Sequence, residues 1–191
     1  GGFLFADSAT GLSLDAGSCD LTGLTEVTVI AICRLGESPS SEDNGVFRID
    51  QNGSSGNAQL GFSFVVDSSS QITWHTVLSA NSTTGWTAGT FVTDARPPAN
   101  QLLVMMTRWK SSSPIENMWA IAGGGMRSWA AAGHTPSGTI TVTAGSASNL
   151  HPHIGGMAES SGTAFPGEIF AVSVLKKRIS DGDASRILAP P

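Results

Sequence analysis

The sequence predicts an all-β protein, an antiparallel two-sheet β-sandwich with one short helix at its carboxyl end. Charged residues make up only 13% of the 191 residues, and glycine occurs 23 times. Short apolar segments rich in β-branched residues alternate with polar turns. Helical bundles need far more Glu, Lys and Arg on their surfaces. Many short strands at this spacing are typical of a sandwich or a barrel, and the length suits a single domain over residues 1–191.

The apolar segments predict the strands in chain order. Most are five to nine residues long and are bounded by Gly, Ser, Asn, Asp or Pro, which favour turns. The segment Gln101–Trp109, QLLVMMTRW, is the most apolar of them. The predicted strands span residues 26–34, 45–50, 59–66, 71–78, 89–93, 101–109, 117–122, 139–143 and 167–175, and His153 is expected to begin a further one.

One helix is predicted at the carboxyl end. Ser180 is a good N-cap, and Asp183 follows three residues later in a capping-box arrangement. Apolar residues at helical spacing then share one face, at Ala184, Ile187 and Leu188.

Charge and cysteine content exclude several classes of protein. The formal net charge is −5 and no run of Lys or Arg occurs, so nucleic acid is not an expected partner. No apolar stretch approaches the ~20 residues of a membrane-spanning helix, so no membrane insertion is expected. Two cysteines, Cys19 and Cys33, are too few for a disulfide scaffold. We expect both to be buried free thiols, because Cys behaves as a small hydrophobe.

The carboxyl third carries a family resemblance. His153-Ile154-Gly155-Gly156 precedes a loop of small residues, Phe165-Pro166-Gly167-Glu168-Ile169 begins the next strand, and Ile179-Ser180 opens the helix. This order resembles the end of laminin G-like and pentraxin-like jelly rolls, which belong to the concanavalin A-like superfamily. The resemblance implies a jelly-roll sandwich in which Phe3–Phe5 pairs beside the last strand. It supports the fold more than the function, because this fold hosts lectins, glycosidases, adhesion modules and virus structural proteins.

Catalytic residues are not expected. A glycosidase needs two carboxylates at a fixed separation across the scissile bond, and the Glu-x-Asp-x-Glu spacing of the laminarinase-like branch is absent. The acid pairs Glu42/Asp43 and Asp181/Asp183 lie in a polar loop and at the helix cap, where they are expected to be solvated or capping groups. No Gly-x-Ser-x-Gly elbow is present for a Ser-His-acid site.

The sequence contains only weak signals for metal-binding sites. His151 and His153 would share one face of an extended strand, which is half of a zinc site. The resemblance raises calcium, which requires carboxylate and carbonyl oxygens. Asp50, Asn52 and Asp67 are the candidate calcium ligands, and Glu116-Asn117 is the nearest remnant of the pentraxin acid and amide run. The expected cofactor is therefore either none or calcium.

Tryptophans supply the candidate ligand-binding residues, since large aromatic side chains at a surface suit sugars and protein partners equally. Trp86 and Trp129 lie in surroundings rich in Gly, Ser and Ala, which predict loops or strand ends. Trp74, Trp109 and Trp119 alternate with apolar strand residues and are expected in the core.

Three functions remain open. The first is a non-catalytic structural or interaction module, most simply a virion surface component such as a phage capsid decoration (cement), fibre or spike protein. It would contact other virion or surface proteins, form a homo-oligomer and lie on the virion surface or outside the cell. The second is a carbohydrate-binding lectin or adhesion module with glycans as partners. The third is a glycoside hydrolase of the same fold.

Overall fold

The computed structural model describes residues 3–5, 12–13, 19–36, 44–51, 54–66, 72–80, 83–89, 99–121, 124–130, 135–141, 150–155 and 165–188. The described residues form twelve strands and one helix. The strands are β1 (Phe3–Phe5), β2 (Leu12–Ser13), β3 (Glu26–Leu35), β4 (Asn44–Gln51), β5 (Ser54–Val66), β6 (Ile72–Ala80), β7 (Thr83–Gly89), β8 (Leu102–Lys110), β9 (Glu116–Ile121), β10 (Arg127–Ala130), β11 (Leu150–Ile154) and β12 (Gly167–Leu175), and the helix α1 is Asp181–Leu188.

The strands form two antiparallel sheets of six strands each, which confirms the predicted sandwich. Sheet A has the order β1-β12-β3-β8-β9-β10, and sheet B has the order β2-β11-β4-β5-β6-β7. The predicted pairing of Phe3–Phe5 with the last strand is also confirmed, with Phe3 opposite Ile169 and Phe5 opposite Gly167.

Two strand predictions are wrong, and a third is untested. Of the strand expected at 89–93, residues 90–93 lie outside the described part of the chain, and Gly89 is the last residue of β7. Residues 139–141, the described part of the predicted strand 139–143, form only an isolated bridge. There Ile140 exchanges backbone hydrogen bonds with Gly23 and Leu24 at 2.9 and 2.7 Å, and its side chain is buried. His153 lies near the end of β11 instead of beginning a strand.

The space between the sheets is filled by two apolar clusters. One surrounds Trp119 and Phe165 at one end of the sandwich, and the other surrounds Trp109 and Ile49. Trp109 is 1% exposed and Trp119 is 6% exposed, so their predicted core positions are confirmed. The side chain of Trp74 lies outside the described part.

The two cysteines are free, but only Cys33 is buried. Its burial raises the pKa of the thiol to about 12, and its sulfur lies 3.3 Å from that of Met105. Cys19 is half-buried, so the prediction that both thiols are buried is wrong for Cys19. It lies in a turn that precedes β3.

The helix packs on the outer face of sheet A. A third cluster joins the sheet side chains of Met106, Met118 and Ala120 to the helix side chains of Ala184 and Leu188. The predicted cap is confirmed, because the backbone N–H of Asp183 donates to Ser180 Oγ at 3.1 Å and Ser180 Oγ–H donates to Asp183 Oδ2 at 2.7 Å. The helix therefore covers part of a sheet face that would otherwise be exposed.

Thr28 fixes the connection between β12 and α1. Its buried hydroxyl donates to the carbonyl oxygen of Lys177 at 2.8 Å and accepts from the backbone N–H of Ile179 at 3.1 Å. One side chain of β3 thus satisfies two backbone groups of the turn, which holds the helix at a fixed place on the sheet.

Gly167 allows β12 to run close to β3. A Cβ atom at this position would overlap the carbonyl oxygen of Arg34 and would lie 2.9 Å from the backbone nitrogen of Gly36. The two strands can therefore lie this close because position 167 has no side chain. Gly155, at the end of β11, has a φ of 77°, which suits glycine.

Candidate functional site

Trp86 and Trp129, which were expected in loops or at strand ends, both lie in edge strands, Trp86 in the middle of β7 and Trp129 next to the last residue of β10. Trp86 is in β7, at the edge of sheet B, and Trp129 is in β10, at the edge of sheet A. Backbone pairing with β6 and β9 draws these Gly-, Ser- and Ala-rich segments into strands, since pairing overrides a weak local preference.

The register places the two tryptophan positions on different faces. Trp129 is opposite Asn117, whose side chain points between the sheets and accepts a hydrogen bond from Thr76 of sheet B. Trp86 is opposite Val77, which lies between the buried Thr76 and Leu78. Because cross-strand neighbours share a face, position 129 is on the inter-sheet face and position 86 is on the outer face of sheet B. The structure brings the strands of both residues to one side of the sandwich, but it does not bring the two positions to one face.

The proposed calcium ligands are not assembled within the described residues. Asp50 is in β4, opposite Ala58 of β5 and His151 of β11, whereas Asn52 and Asp67 lie outside the described residues. The part of the chain that the structure describes contains no group of three or more His, Cys, Asp or Glu side chains that could hold a metal ion. The calcium site therefore stays a prediction, and so does the half-site of His151 and His153 in β11.

A group of four charged side chains, which was not predicted from the sequence, joins sheet A to the helix. This arginine cluster consists of Arg108, Arg178, Glu116 and Asp181. Arg108 is only 5% exposed, and its Nε donates to Glu116 Oε2 at 2.6 Å while its Nη2 donates to Asp181 Oδ1 at 2.5 Å. A third bond, 3.0 Å long, joins its Nη1 to the carbonyl oxygen of Ile179. The guanidinium thus ties β8 to β9 and to the start of α1.

Arg178 completes the arginine cluster. Its Nη2 lies 2.8 Å from Glu116 Oε2 and 3.5 Å from Asp181 Oδ1. The hydrogen bond from Arg108, with the charges of both arginines, lowers the pKa of Asp181 below its ordinary value. A general acid needs the opposite, a carboxyl group whose pKa is raised. Asp181 therefore lacks the environment of a general acid, and the cluster holds the start of the helix against sheet A.

The sequence contains one signal that could have pointed to the arginine cluster. Arg108 is the one charged residue within the apolar strand segment Gln101–Trp109, and Arg178 and Asp181 stand three residues apart at the helix start. A buried arginine requires carboxylate partners. Its partners could not be chosen, however, before the register of β8 against β9 was known.

A second polar group lies between the sheets. Thr76 Oγ1–H donates to Asn117 Oδ1 at 3.1 Å, which links β6 of sheet B to β9 of sheet A. Thr107, opposite Asn117 in the register, is buried with it. Within the described structure, Thr107 Oγ1 and Asn117 Nδ2 have no hydrogen-bond partner. Each such atom costs about 1–3 kcal/mol of stability, so this group fixes the alignment of the sheets at some expense in stability.

Within the described residues, the outer face of sheet A also carries a partly exposed region beyond the helix, which we name the outer patch. It consists of Ile32, Leu102, Phe170, Arg34 and Glu168. The guanidinium of Arg34 lies 2.9 Å from Glu168 Oε2, and its central carbon is 5.3 Å from the centroid of the Phe170 ring. Leu102, opposite Arg34 in the register, is 40% exposed. The outer patch is therefore apolar with a charged pair on one side.

None of the helices in the described residues is both long enough and apolar enough to cross a membrane.

Comparisons with known proteins support the fold. No protein-family model matches the sequence, and no curated protein matches it significantly. Among solved structures, the native heptameric SAP-like pentraxin from Limulus polyphemus has a TM-score of 0.56 at 12% identity, over 88% of this chain and 72% of that chain. The enzymatically active domain of tailspike protein 2 from bacteriophage CBA120 has a TM-score of 0.55 at 18% identity, over 98% of this chain and 26% of that chain.

A third similar structure is the Trypanosoma rangeli sialidase in complex with sialic acid, with a TM-score of 0.52 at 15% identity, over 85% of this chain and 23% of that chain. The chain thus spans most of the pentraxin but about a quarter of the tailspike and sialidase chains. Likenesses at these identities show the fold alone. Together with the two six-stranded antiparallel sheets and the carboxyl-terminal helix, they show that this chain has the concanavalin A-like lectin/glucanase fold.

Proposed function

We propose that this chain is a non-catalytic structural and interaction module that works at the surface of a virus particle, as a capsid decoration protein, a fibre module or a spike module of a phage. The observation that carries the non-catalytic part is the arginine cluster. Glu116 and Asp181 both bond to Arg108, which makes them a close pair of carboxylates in the described structure. In a glycosidase, one member of such a pair must hold a proton near neutral pH. Here Arg108 and Arg178 lower the pKa of Asp181, and Glu116 forms ion pairs with the same two arginines.

Other described carboxylates are engaged in the same structural way. Glu168 pairs with Arg34. Asp20 accepts hydrogen bonds from Thr22 and from the side-chain amide of Gln59 at 3.0 Å. Partial burial acts to raise the pKa of Asp20, but these hydrogen bonds outweigh it and the pKa is lowered. Asp20 therefore lacks the environment of a general acid, and Glu168 is held in an ion pair, which supports a module that binds and does no chemistry.

The virion part of the proposal has separate support. The same fold occurs in a phage tailspike protein and in a heptameric pentraxin, so it serves as a module within larger assemblies. Only 13% of the residues are charged, and the outer patch offers an apolar surface to a protein partner. Contacts between proteins favour Arg and aromatic residues, and Arg34 over Phe170 supplies both.

A glycan-binding experiment tests the proposal against its two alternatives. The chain is applied to a broad glycan array with calcium and again with a chelator, and it is incubated with a panel of fluorogenic glycosides. We expect neither binding nor hydrolysis. Binding that is lost in Trp86→Ala or Trp129→Ala, but kept in the exposed control Met126→Ala, would establish a lectin. Hydrolysis would establish an enzyme. Either result would overturn the proposed function.

A particle experiment tests the proposed location. Virus particles are purified from a culture whose phage encodes the chain, and their proteins are identified by mass spectrometry. We expect peptides of this chain in fixed proportion to those of the major capsid or tail protein. The proportion should be the same before and after a mild protease treatment that removes free proteins. Its absence from particles that contain the other structural proteins would refute the virion role.

A further inference from the structure

The outer face of sheet A is apolar over more of its area than the helix covers. The strands at its centre are β3 and β8, and their outward-facing side chains include Ile30, Val104 and Met106, which pack in the cluster under α1. Ile32 and Leu102 continue the same two strands beyond the helix, since Ile32 is opposite Val104 and Leu102 is opposite Arg34. The apolar stripe therefore runs out from beneath the helix into the outer patch.

The outer patch is partly exposed in the described structure. Leu102 is 40% exposed, and only Met126 matches it among the large apolar side chains of the described residues. Ile32 and Phe170 are half-buried. Next to them, the side chains of Arg34 and Glu168 are 45% and 30% exposed. A contiguous apolar area with a polar rim is typical of a protein interface.

The charges of the outer patch favour one kind of partner. Arg34 and Glu168 stand side by side with opposite signs, so the patch has no net charge that would attract a strongly acidic or basic ligand. A two-fold contact between identical chains needs a patch that is complementary to itself. When two such patches meet face to face, Arg34 of each copy can approach Glu168 of the other, while Leu102 and Ile32 pack across the axis. A second copy of this chain meets these requirements without any further feature.

We propose that the outer patch is a two-fold contact between two copies of this chain, centred on Leu102 and bordered by Arg34 and Glu168. This inference rests on the proposed function and deepens it, because it names the second copy as a partner of the interaction module. The proposed function and the proposed two-fold contact can be refuted by separate experiments. Glycan binding or hydrolysis would overturn the proposed function and leave the contact standing, whereas the oligomeric state decides the contact alone.

Sedimentation velocity over a wide range of micromolar concentrations tests the contact. We expect a dimer, or an oligomer with an even number of copies, for the unchanged chain. Leu102→Glu should raise the dissociation constant of the dimer by about tenfold or more, because a charge is placed at the centre of the interface. Met126→Glu is the matched control, since Met126 is also 40% exposed, and it should leave the dimer intact. Circular dichroism confirms that both variants are folded.

A charge exchange tests the rim. Arg34→Glu alone should weaken the dimer, because it places like charges against each other, and the double change Arg34→Glu with Glu168→Arg should restore it. The proposal is overturned if the unchanged chain is a monomer or an odd-numbered oligomer, if Met126→Glu dissociates the dimer as strongly as Leu102→Glu, or if the double change fails to restore it.

Discussion

Gly167→Ala tests whether the close approach of β12 to β3 is required by the fold. The added Cβ would overlap the carbonyl oxygen of Arg34 and would also lie 3.1 Å from its carbonyl carbon. These are backbone atoms of a paired strand, so they cannot rotate away as the end of a flexible side chain could. Gly167 is opposite Leu35 at the start of an antiparallel pairing, and relief requires that the two strands separate there.

The cost of that separation can be estimated. Overpacking in a well-packed region costs about 1–3 kcal/mol, and a clash between two backbones belongs at the upper end of this range. For a chain of this size each kcal/mol lowers Tm by about 2–4 °C, so a loss of about 3 kcal/mol corresponds to roughly 6–12 °C. Thermal unfolding and urea unfolding measure it, and the urea midpoint should fall without a change in m.

Gly182→Ala is the matched control, because it makes the same substitution where there is room. The added Cβ would meet only Ser180 Oγ, at 3.8 Å. Gly182 lies in α1, where Ala is favoured over Gly by up to about 1 kcal/mol, so Tm should stay unchanged or rise. The reasoning is refuted if Gly167→Ala unfolds at the same temperature as the unchanged chain, or if Gly182→Ala is the more destabilised of the two.

Three further outcomes follow from the helix and the thiols. Ser180→Ala removes the N-cap bond to the backbone of Asp183 and should lower the free energy of unfolding by about 1 kcal/mol, measured by urea unfolding; no change would show that the cap is dispensable. The pKa of Asp181 is lowered in the folded state by Arg108, so its stabilising contribution is present above the unfolded pKa of about 3.9 and is lost as the pH falls through the folded pKa. Asp181→Asn should therefore be less stable than the unchanged chain at neutral pH and converge with it in acid, and parallel pH curves would contradict this. Cys19, which is half-buried, should react with a thiol reagent in the folded chain well before Cys33, whose pKa is about 12, and equal rates would contradict the burial.

The local parts of the fold were predictable from the sequence. β12 was predicted at its observed bounds, because Gly167 and the turn after Leu175 mark both ends. The helix was predicted from Ser180 and Asp183, since a cap is formed by residues three apart in the chain. The sandwich itself followed from strand spacing and from the resemblance of the carboxyl end. All of these signals lie within short segments of the sequence, so they can be recognised without knowledge of tertiary contacts.

The parts that failed depend on pairing between distant strands. The segment that contains Trp86 has no alternating apolar pattern, and only its pairing along β6 makes it a strand. Ile140 looked like part of a strand, but its backbone bonds go to the turn at Gly23 and Leu24. The arginine cluster joins β8, β9 and α1, and Arg108 meets Asp181 across 73 positions of sequence. A single sequence carries the residues of such a cluster but not their register.

The apolar sequence of the central strands of sheet A indicates that the outer face of this sheet is buried as well as the inner face. A strand with one face in water alternates apolar and polar residues, whereas a strand buried on both faces is apolar almost throughout. β8 reads LLVMMTRWK, and its buried residues run without a break from Met105 to Trp109. The helix provides one cover, held by the arginine cluster and by Thr28. It reaches only part of the apolar stripe, and Leu102 at the start of β8 stays 40% exposed. A second copy of the chain placed on the outer patch would complete the burial that the apolar pattern of β8 calls for.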